Sequence, residues 1–546
     1  MKTLQSYRKA KIKFTLNRLK NFLSIFARNK KGMAGVAILA FYTFIAFAAP
    51  LLTPYSPTDF TPLSGPLSVP AWLRNFPGGE MLSENLNPIK GSDFSTPETL
   101  NQWNISTNPC ILTQHVLTMG NPYGSGAGTL AVKFVREEIG KTYGKVNFTM
   151  YQEFYYPYKG PPKFFVGSIA LSITGTGERK GVAIALDVPV KVSVYLQRVG
   201  EGQANEKWKL WPLPTITFDS PSPVIDEKNG TFEIINPGWI ISKKSPGTNV
   251  TQIDPRSPDF AMSFPKSVET IFNTTWMPCK YKFGVEIEFL DTNKEKENKR
   301  VETTIYIDDL TFRTYGTAFG WLGTDHIGRD IYTQLLYGAR ISLYVGLLSS
   351  FIGVVLGLLL GLASGYLGRI VDEIIMRFTD MLLVIPTLPL LIVLVGVLGT
   401  SLNNLILILG FLGWMGFART VRSQVLSLKE RPFVEAAIAI GAGRTHIIFR
   451  HILPNVMSLV YVSLATAVPG NVVAEAALSW LGFYDPSVMS WGRMLNDVQG
   501  NVGGGSLFMW WWILPPGLSI ALIAIAFVMI GYALDEVLNP RLRMRR

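Results

Sequence analysis

The chain shows two hydrophobic patterns, which are long apolar runs and shorter stretches in which apolar and polar residues alternate. Six runs approach the roughly 20 apolar residues that a membrane-spanning helix needs. They lie at residues 33–54, 341–366, 381–400, 403–418, 456–476 and 513–534. A short polar stretch separates the third run from the fourth, which predicts a tight helical hairpin. The pattern therefore predicts an all-α membrane bundle of six transmembrane helices.

Between residues 55 and 317 the pattern changes, because apolar and polar residues alternate there. The alternation is clear in KVNFTMYQEFYYPY and in GVAIALDVPVKVSVYLQRVG. A period of two that is rich in Val, Ile, Phe and Tyr predicts strands with one buried face. Turn clusters such as GTGERKG and DTNKEKENK separate the strands. We expect an inserted, mainly β, sandwich-like domain of about 200 residues.

The distribution of charge predicts the orientation of the chain. Residues 1–32 hold ten Lys or Arg and no acid, which predicts an uncleaved first span with a cytoplasmic N-terminus. The same rule assigns residues 367–380, 419–455 and 535–546 to the cytoplasm and residues 55–340 to the outside. The net charge of +12 then belongs to the cytoplasmic face. It indicates contact with membrane lipid and partner proteins, and nucleic acid is not needed to explain it.

Cysteine usage is sparse and leaves two alternatives open. The chain has two cysteines, Cys110 and Cys279, and both lie in the β-rich segment. Two thiols are too few for a structural zinc site. In an oxidising compartment they would form a disulfide that closes a loop of about 170 residues. Otherwise they are two unrelated thiols.

The β-rich segment offers little other chemistry. GKT at residues 140–142 lacks the earlier glycine of a phosphate-binding loop, and His115 stands alone. We therefore predict no catalytic, cofactor-binding or metal-binding residues. Five Asn-x-Ser/Thr sequons occur there, at Asn104, Asn147, Asn229, Asn249 and Asn273. They matter in a cell that glycosylates exported proteins.

Small residues and prolines mark the membrane bundle. Glycines recur every four residues in GVVLGLLLGLASG, at Gly353, Gly357, Gly361 and Gly365. This spacing puts them on one helix face, where a neighbouring helix can approach closely. Prolines in VIPTLPL predict a local break in helical hydrogen bonding. Such a break occurs in cavity-lining helices and in structural kinks alike.

Glu475 is an acid inside a predicted span. An intramembrane acid is a functional candidate, although Glu475 lies near the end of its span and also fits an interfacial or helix-capping group. Other ionisable residues are scarce in the spans. An ion-coupled carrier would be expected to bury several charges, so the energy for any transport is expected to come from another component.

The stretch EAAIAIGAGRTHIIFRHILPN, residues 435–455, is too short and too charged to cross a membrane. Gly441 and Gly443 allow a turn within it, and Pro454 is expected to end it. It could present side chains to a partner while its apolar face rests on the bundle. Alternatively, it is an amphipathic helix that packs on lipid headgroups.

This stretch resembles the EAA signature of ABC importer permeases. Further motifs are similar to hallmarks of the peptide/nickel branch and occur in the order found in its C-type subunit. In chain order they are APLLTPYSP, LGTDHIGRD, GARISLYVG, MRFTD, EAALSWLGF and SWGRML. The resemblance covers residues 1–60 and 318–546. It implies a type I importer fold and a coupling helix that docks on an ATPase. The coupling residues it implies are Glu435, Ala436, Ala437, Gly441, Arg444, His451, Leu453 and Pro454.

The hydropathy and charge patterns, taken together with the resemblance, predict a domain order. Residues 1–32 form a basic cytoplasmic tail and residues 33–54 the first span. Residues 55–317 form an extracytoplasmic insertion that ordinary members lack, and residues 318–546 form the permease core. The coupling loop occupies about residues 419–455 of that core.

As a function, the resemblance implies a multi-pass permease subunit of the cell membrane that is not itself an enzyme. ATP and Mg would be bound by two separate ABC ATPase subunits. A second, homologous permease and an extracytoplasmic solute-binding protein would complete the importer. The expected cargo is oligopeptide or dipeptide, and oligosaccharide is the alternative within the branch. Outside this class, a membrane-anchored binding or adhesion protein could act through its β-domain.

Overall fold

The computed structural model divides the chain into two compact units. One unit comprises residues 1–61 and 322–546, and the other comprises residues 62–321. The structure describes residues 24–117, 128–136, 140–180, 183–200, 206–212, 224–228, 231–235, 240–241, 253–257, 261, 264–292, 299–501 and 509–538. Most of the predicted basic tail and two sequons, Asn229 and Asn249, therefore lie outside the described residues.

The first unit is built from helices joined by short loops. Its helices are α1 (Lys30–Leu52), α3 (Ile331–Leu367), α4 (Arg369–Val384), α5 (Thr387–Leu398), α6 (Leu402–Leu412), α7 (Met415–Lys429), α8 (Pro432–Ala439), α9 (Arg444–Ile447), α10 (Leu453–Trp480), α11 (Trp491–Gln499) and α12 (Trp510–Leu538). A π-helical turn, Ile448–Ile452, joins α9 to α10. Five helical stretches among the described residues are long and apolar enough to cross a membrane, and a bent pair makes a sixth if it counts as one span. Four of these five stretches extend beyond the predicted runs at both ends, whereas the first begins earlier than predicted and ends two residues sooner.

The bent pair replaces the single helix predicted at residues 381–400. Helices α4 and α5 meet at an angle of 95°, and Pro386 lies between them as the residue before α5. A proline disfavours the α conformation of the residue before it. Ile385 accordingly has an extended backbone, with ψ of 129°. The predicted break is present, but it turns the chain much more sharply than a kink.

Helix α3 packs closely against α6 and α7 along its glycine face. A β-carbon added at Gly353 would lie 3.1 Å from the carbonyl oxygen of Gly410. At Gly357 and Gly361 it would lie 2.8 Å and 2.7 Å from backbone oxygens of the α6–α7 stretch. At Gly365 it would lie 2.7 Å from Val425. The four glycines therefore permit a backbone approach that any side chain would obstruct.

The second unit is built from antiparallel strands. They are β1 (Asn104–Ser106), β2 (Ile111–Val116), β3 (Thr129–Arg136), β4 (Gly144–Tyr156), β5 (Phe164–Lys180), β6 (Ala183–Leu186), β7 (Val190–Val199), β8 (Lys207–Pro212), β9 (Val224–Lys228), β10 (Thr231–Ile235), β11 (Ile240–Ile241), β12 (Cys279–Asp291) and β13 (Val301–Tyr315). Short helices accompany them: three 3₁₀ turns, Ala71–Asn75, Gly79–Met81 and Pro97–Gln102, and helix α2, Ser267–Ile271.

These strands form a sandwich of two sheets, as the alternating pattern predicts. One sheet has the order β1-β4-β12-β7-β8, and the other has the order β2-β3-β13-β5-β10-β9, with β6 and β11 also paired to β5. Aromatic side chains from both sheets meet in one core. Phe134 of β3 stacks on Phe289 of β12 with ring centroids 5.4 Å apart. The burial of one face of each strand explains the period of two in the sequence.

The two cysteines of this unit are not joined to each other in the structure. Cys279 begins β12, where it pairs in register with Tyr156, whereas Cys110 precedes β2 of the other sheet. Both residues are thiols in the structure. Burial raises the pKa of the Cys279 thiol, which disfavours the thiolate needed for oxidation. His115 is structural, since its Nε2 lies 2.7 Å from the carbonyl oxygen of Phe94.

Candidate functional site

The segment between α7 and α10 folds back on the helical unit as two short helices. Proline at position 432 begins α8 in its first turn, where the missing N–H costs nothing. Helix α9 and the π-helical turn then lead directly into α10. We call residues 430–455 the coupling segment. It contains all eight residues that the resemblance assigns to coupling.

One face of the coupling segment is buried against the bundle. Val434 and Ile452 have no exposed surface, and Ala437 and Ile447 are nearly as buried. They belong to one apolar cluster with residues of α3, α7 and α10, among them Val425. Spacing of three between Val434 and Ala437 puts both on the same side of α8. This packing holds the segment in a fixed position on the bundle.

Gly441 ends α8 in a Schellman motif. The N–H of Gly441 donates to the carbonyl of Ile438 at 2.9 Å, and the N–H of Ala442 donates to the carbonyl of Ala437 at 3.0 Å. Gly441 has a φ of +82°, a left-handed conformation that suits glycine and strains other residues. The signature glycine is therefore explained by the backbone and not by a side-chain contact.

Other residues of the coupling segment expose large apolar side chains. The exposed fractions are 43 % for Phe433, 49 % for Ile438, 85 % for Ile440 and 67 % for Phe449. Exposed charged side chains accompany them, at Arg431, Glu435, Arg444 and Arg450. The sequence analysis expected the apolar side chains of this segment to rest on the bundle, and these four do not. The sequence signal for this exposure was that apolar residues occur on every side of α8, so that some of them cannot face the bundle.

The remaining predicted residues have different surroundings. Ala436 is exposed beside Glu435, and Leu453 is half-buried against the apolar cluster. His451 lies with its ring centroid 6.3 Å from that of Phe433 and so connects α8 to the π-helical turn. Pro454 does not end the segment as predicted. It lies in the first turn of α10, because a π-helical turn precedes it and the chain stays helical through it.

Glu475 is buried near the end of α10 and is 2 % exposed. Its Oε1 accepts hydrogen bonds from the hydroxyls of Ser479, at 2.8 Å, and Ser490, at 2.7 Å. The Ser490 hydroxyl in turn accepts the N–H of Arg493 and caps α11. The carboxylate of Glu475 is therefore held by hydroxyl groups and is shielded from solvent. It is a buried anchor for the start of α11.

Trp491 fixes α11 to α3. It has no exposed surface; its backbone N–H donates to the hydroxyl of Ser342 at 3.3 Å, and its indole N–H donates to the carbonyl of Leu335 at 3.0 Å. A β-carbon at Gly338 would lie 2.6 Å from the Trp491 ring. The GARISLYVG and SWGRML motifs therefore meet at one contact.

A buried polar network precedes α3. Oδ1 of Asp325 accepts the backbone N–H groups of residues 327–329. Its Oδ2 accepts Nε of Arg329 at 2.6 Å and Nε2 of Gln334 at 2.7 Å. Nη2 of Arg329 also reaches Asp497 of α11 at 3.2 Å. Burial raises the pKa of Asp497, and the nearby Arg329 guanidinium opposes this rise without cancelling it.

Ion pairs join α4 to α7 at the other end of α3. Arg422 donates from Nη2 to Oδ2 of Asp372 at 2.5 Å, and Asp372 also accepts the hydroxyl of Ser364. Arg419 pairs with Asp380, the acid of the MRFTD motif. These pairs attach α4 to the bundle although many of its apolar side chains are exposed. Within the described ranges, no group of three or more His, Cys, Asp or Glu side chains could hold a metal ion.

Two family models match the helical unit. The model for the binding-protein-dependent transport system inner membrane component matches residues 353–544. The model for the N-terminal TM domain of oligopeptide transport permease C matches residues 17–66. Neither of these matches reaches residues 67–352, which include most of the β-rich unit.

Several curated relatives are similar over about two fifths of this chain. The dipeptide transport system permease protein DppC of Bacillus subtilis is 38% identical over 228 residues, which are 42% of this chain and 70% of that protein. The oligopeptide transport system permease protein OppC of the same organism is 36% identical over 224 residues, 41% of this chain and 72% of that protein. A solved inward-facing structure of the MetNI methionine ABC transporter aligns with 37% of this chain and 96% of its own, at 22% identity and a TM-score of 0.30.

Proposed function

This chain belongs to the family of inner membrane components of binding-protein-dependent transport systems, and we propose that it is one of two permease subunits of an ATP-driven peptide importer. As a permease it is a multi-pass membrane protein and not an enzyme. The observation that carries the proposal is that the coupling segment buries some of its apolar side chains on the bundle and exposes others. Val434 is buried on the bundle, while 85 % of Ile440 is exposed and no described residue of the helical unit covers it.

A separate ATPase subunit would cover this exposed face. Four large apolar side chains with charged residues around them have the composition of a protein interface, in which an apolar centre is surrounded by a polar rim. The inward face would transmit the force, because close-packed side chains move together. In this account Gly441 shapes the segment, and Glu435, Arg444 and Arg450 lie at the rim. Two ATPases would bind the ATP and Mg, and each would dock on one permease.

The charge distribution supports a cytoplasmic position for this face. Residues 419–455 carry several basic residues and follow a span, which favours the inner side of the membrane. With six spans, the termini would also be cytoplasmic and residues 55–340 would lie outside. The bent pair α4–α5 counts as one span in this topology.

The cargo we propose is a dipeptide or an oligopeptide. Dipeptide and oligopeptide permease proteins are among the most similar relatives, and a glutathione permease protein of Pectobacterium atrosepticum is 35% identical over 227 residues. Glutathione is itself a small peptide. A solute-binding protein would deliver the cargo outside. ATP binding would shift the population between outward-open and inward-open forms, provided that the ATPases bind those forms with unequal affinity.

The β-sandwich would be an extracytoplasmic insertion between the first and second spans. Its proposed bounds, about residues 55–317, enclose nearly all of the compact unit at residues 62–321. The coupling machinery and the insertion occupy different units, so the insertion could be removed without touching the coupling segment.

The test is uptake by proteoliposomes that contain this chain, its partner permease, both ATPases and the solute-binding protein. We expect a labelled dipeptide or oligopeptide to accumulate. This accumulation should require ATP on the side of the membrane that carries the ATPases. Labelled oligosaccharide serves as the competing cargo. Uptake of oligosaccharide and not of peptide would overturn the cargo, and absence of ATP dependence would overturn the importer assignment.

A further inference from the structure

The β-rich unit concentrates one sequence motif that the transport function does not use. All five Asn-x-Ser/Thr sequons of the chain lie within residues 62–321, and the 286 residues of the other unit contain none. The side chains of all three sequon asparagines in the described residues are exposed, at Asn104, Asn147 and Asn273. Exposure is required of an acceptor for glycan transfer.

The three exposed asparagines differ in backbone conformation. Asn147 lies within the long strand β4, where it pairs in register with Glu288 of β12, and β1 pairs with β4 on its other side. Asn104 begins β1 and pairs with Tyr151. Both backbones are thus held extended by sheet hydrogen bonds. Asn273 instead lies in a turn after α2.

The turn at Asn273 presents its side chain in one orientation. Oδ1 of Asn273 accepts the backbone N–H of Thr275 at 2.9 Å, which is an Asx turn. The carbonyl of Asn273 accepts the N–H of Trp276 at 3.1 Å. Because Oδ1 faces the backbone, Nδ2 points away from it, and within the described residues it has no recorded hydrogen-bond partner. The neighbouring Phe272 is buried and anchors the turn to the core.

We propose that Asn273 is an N-glycosylation site. Nδ2 of Asn273 would attack C1 of the first sugar of a polyprenyl-pyrophosphate-linked glycan. A bond forms between Nδ2 and C1 while the bond from C1 to the pyrophosphate oxygen breaks. The polyprenyl pyrophosphate leaves with the electron pair, and the proton lost by Nδ2 passes to a base of the glycosyltransferase and then to water. The hydroxyl of Thr275, two residues on, completes the sequon that a membrane glycosyltransferase recognises.

This site rests on the extracytoplasmic position of the β-rich unit that the proposed function includes. The Asx turn adds what the sequon alone lacks, because it displays the acceptor nitrogen in the folded protein. The glycan therefore remains attachable after the sandwich has folded, whereas attachment at Asn147 would need access to a central strand.

The experiment is peptide mass spectrometry of the full-length chain purified from membranes of its own cell. We expect the peptide that contains Asn273 to carry a hexose- or hexosamine-containing mass in most copies. Thr275→Val should abolish that mass, because it removes the sequon hydroxyl. Thr274→Val is the matched control and should keep it, since it changes the adjacent threonine and leaves the sequon intact.

An unmodified Asn273 peptide in the wild-type chain would overturn the proposal. Equal loss of the glycan in Thr274→Val and Thr275→Val would also overturn it, because the sequon would then not be the determinant. The failure is distinguishable from failure of the importer assignment. Outside labelling of Asn101→Cys, together with an unmodified Asn273, would leave the topology intact and reject the glycan alone.

Discussion

The hydroxyl of Ser490 donates a 2.7 Å hydrogen bond to the buried carboxylate of Glu475. This contact joins the end of α10 to the first turn of α11, 15 residues later in the chain. Both residues are nearly inaccessible to solvent, with exposed fractions of 2 % for Glu475 and 4 % for Ser490. Stability of this region should therefore depend on a pair of side chains that lies far from the coupling segment.

Ser490→Ala should destabilise the chain by roughly 1–3 kcal/mol, because it removes a helix cap and a hydrogen bond to a buried acid. The measurement is thermal unfolding of the purified permease in detergent. Ser427→Ala is the control, since Ser427 is exposed on α7 and its loss should leave the midpoint within error. An equal effect of the two substitutions would argue against the Glu475–Ser490 anchor.

Gly361→Ala should destabilise the packing of α3 against α7. The new β-carbon would lie 2.7 Å from the carbonyl oxygen of Ala418, so a backbone must move, at a cost of about 1–3 kcal/mol. Gly416→Ala is the matched control, because its β-carbon would meet no atom within 4 Å. Thermal unfolding of both variants checks the prediction. A stabilised Gly361→Ala would show that the helices do not approach as described.

Two aspartates should contribute to the pH dependence of unfolding with opposite signs, because the fold raises the pKa of Asp497 and lowers that of Asp485. Burial raises the pKa of Asp497, so its contribution is present below the unfolded pKa of about 3.9 and is lost as pH rises through the folded pKa. The unfolding midpoint of Asp497→Asn should therefore rise relative to wild type between pH 4 and pH 7. A difference that stays constant over this interval would contradict the raised pKa.

Asp485 provides the comparison of opposite sign. Burial acts to raise its pKa, but hydrogen bonds from Ser487 and from the N–H of Leu402 outweigh burial and lower it. Its contribution is thus present above the unfolded pKa and is lost as pH falls through the folded pKa. The unfolding midpoint of Asp485→Asn should lie below that of wild type at neutral pH. This difference should disappear as the pH is lowered below 4.

Ile440→Asp should weaken the proposed association with the ATPases at least tenfold, which corresponds to about 1.4 kcal/mol. A charge in the apolar centre of an interface must be desolvated without a partner. The measurement is the amount of ATPase subunit that co-purifies with the tagged permease. Thr445→Asp introduces the same charge at an exposed polar position of the segment and should have a smaller effect. Unchanged ATPase recovery with Ile440→Asp would contradict docking on this face.

Several parts of the fold could be predicted because they depend on local pattern. The runs of apolar residues indicate the spans, since lipid requires about 20 of them in succession. The period of two indicates the β-sandwich, since alternate residues face its core. The glycine repeat of α3 indicates close packing, although the sequence does not say that the partner is the α6–α7 stretch.

Other features depend on contacts between distant residues and escaped the sequence. Pro386 predicts a break but not its angle of 95°, because the angle depends on where the two flanking helices pack. Apolarity alone does not tell which side of α8 faces the bundle, so the exposure of Ile440 was missed. The burial of Glu475 depends on its contact with Ser490, which caps a different helix.

The central claim is that the coupling segment faces the cytosol, where an ATPase can reach it. It is tested most directly by labelling Ile440→Cys, in a chain whose two native cysteines are replaced by serine, with a membrane-impermeant maleimide. Asn101→Cys in the same background is the outside control. The account predicts labelling of position 101 in intact cells and labelling of position 440 only after permeabilisation. Labelling of position 440 in intact cells would contradict it.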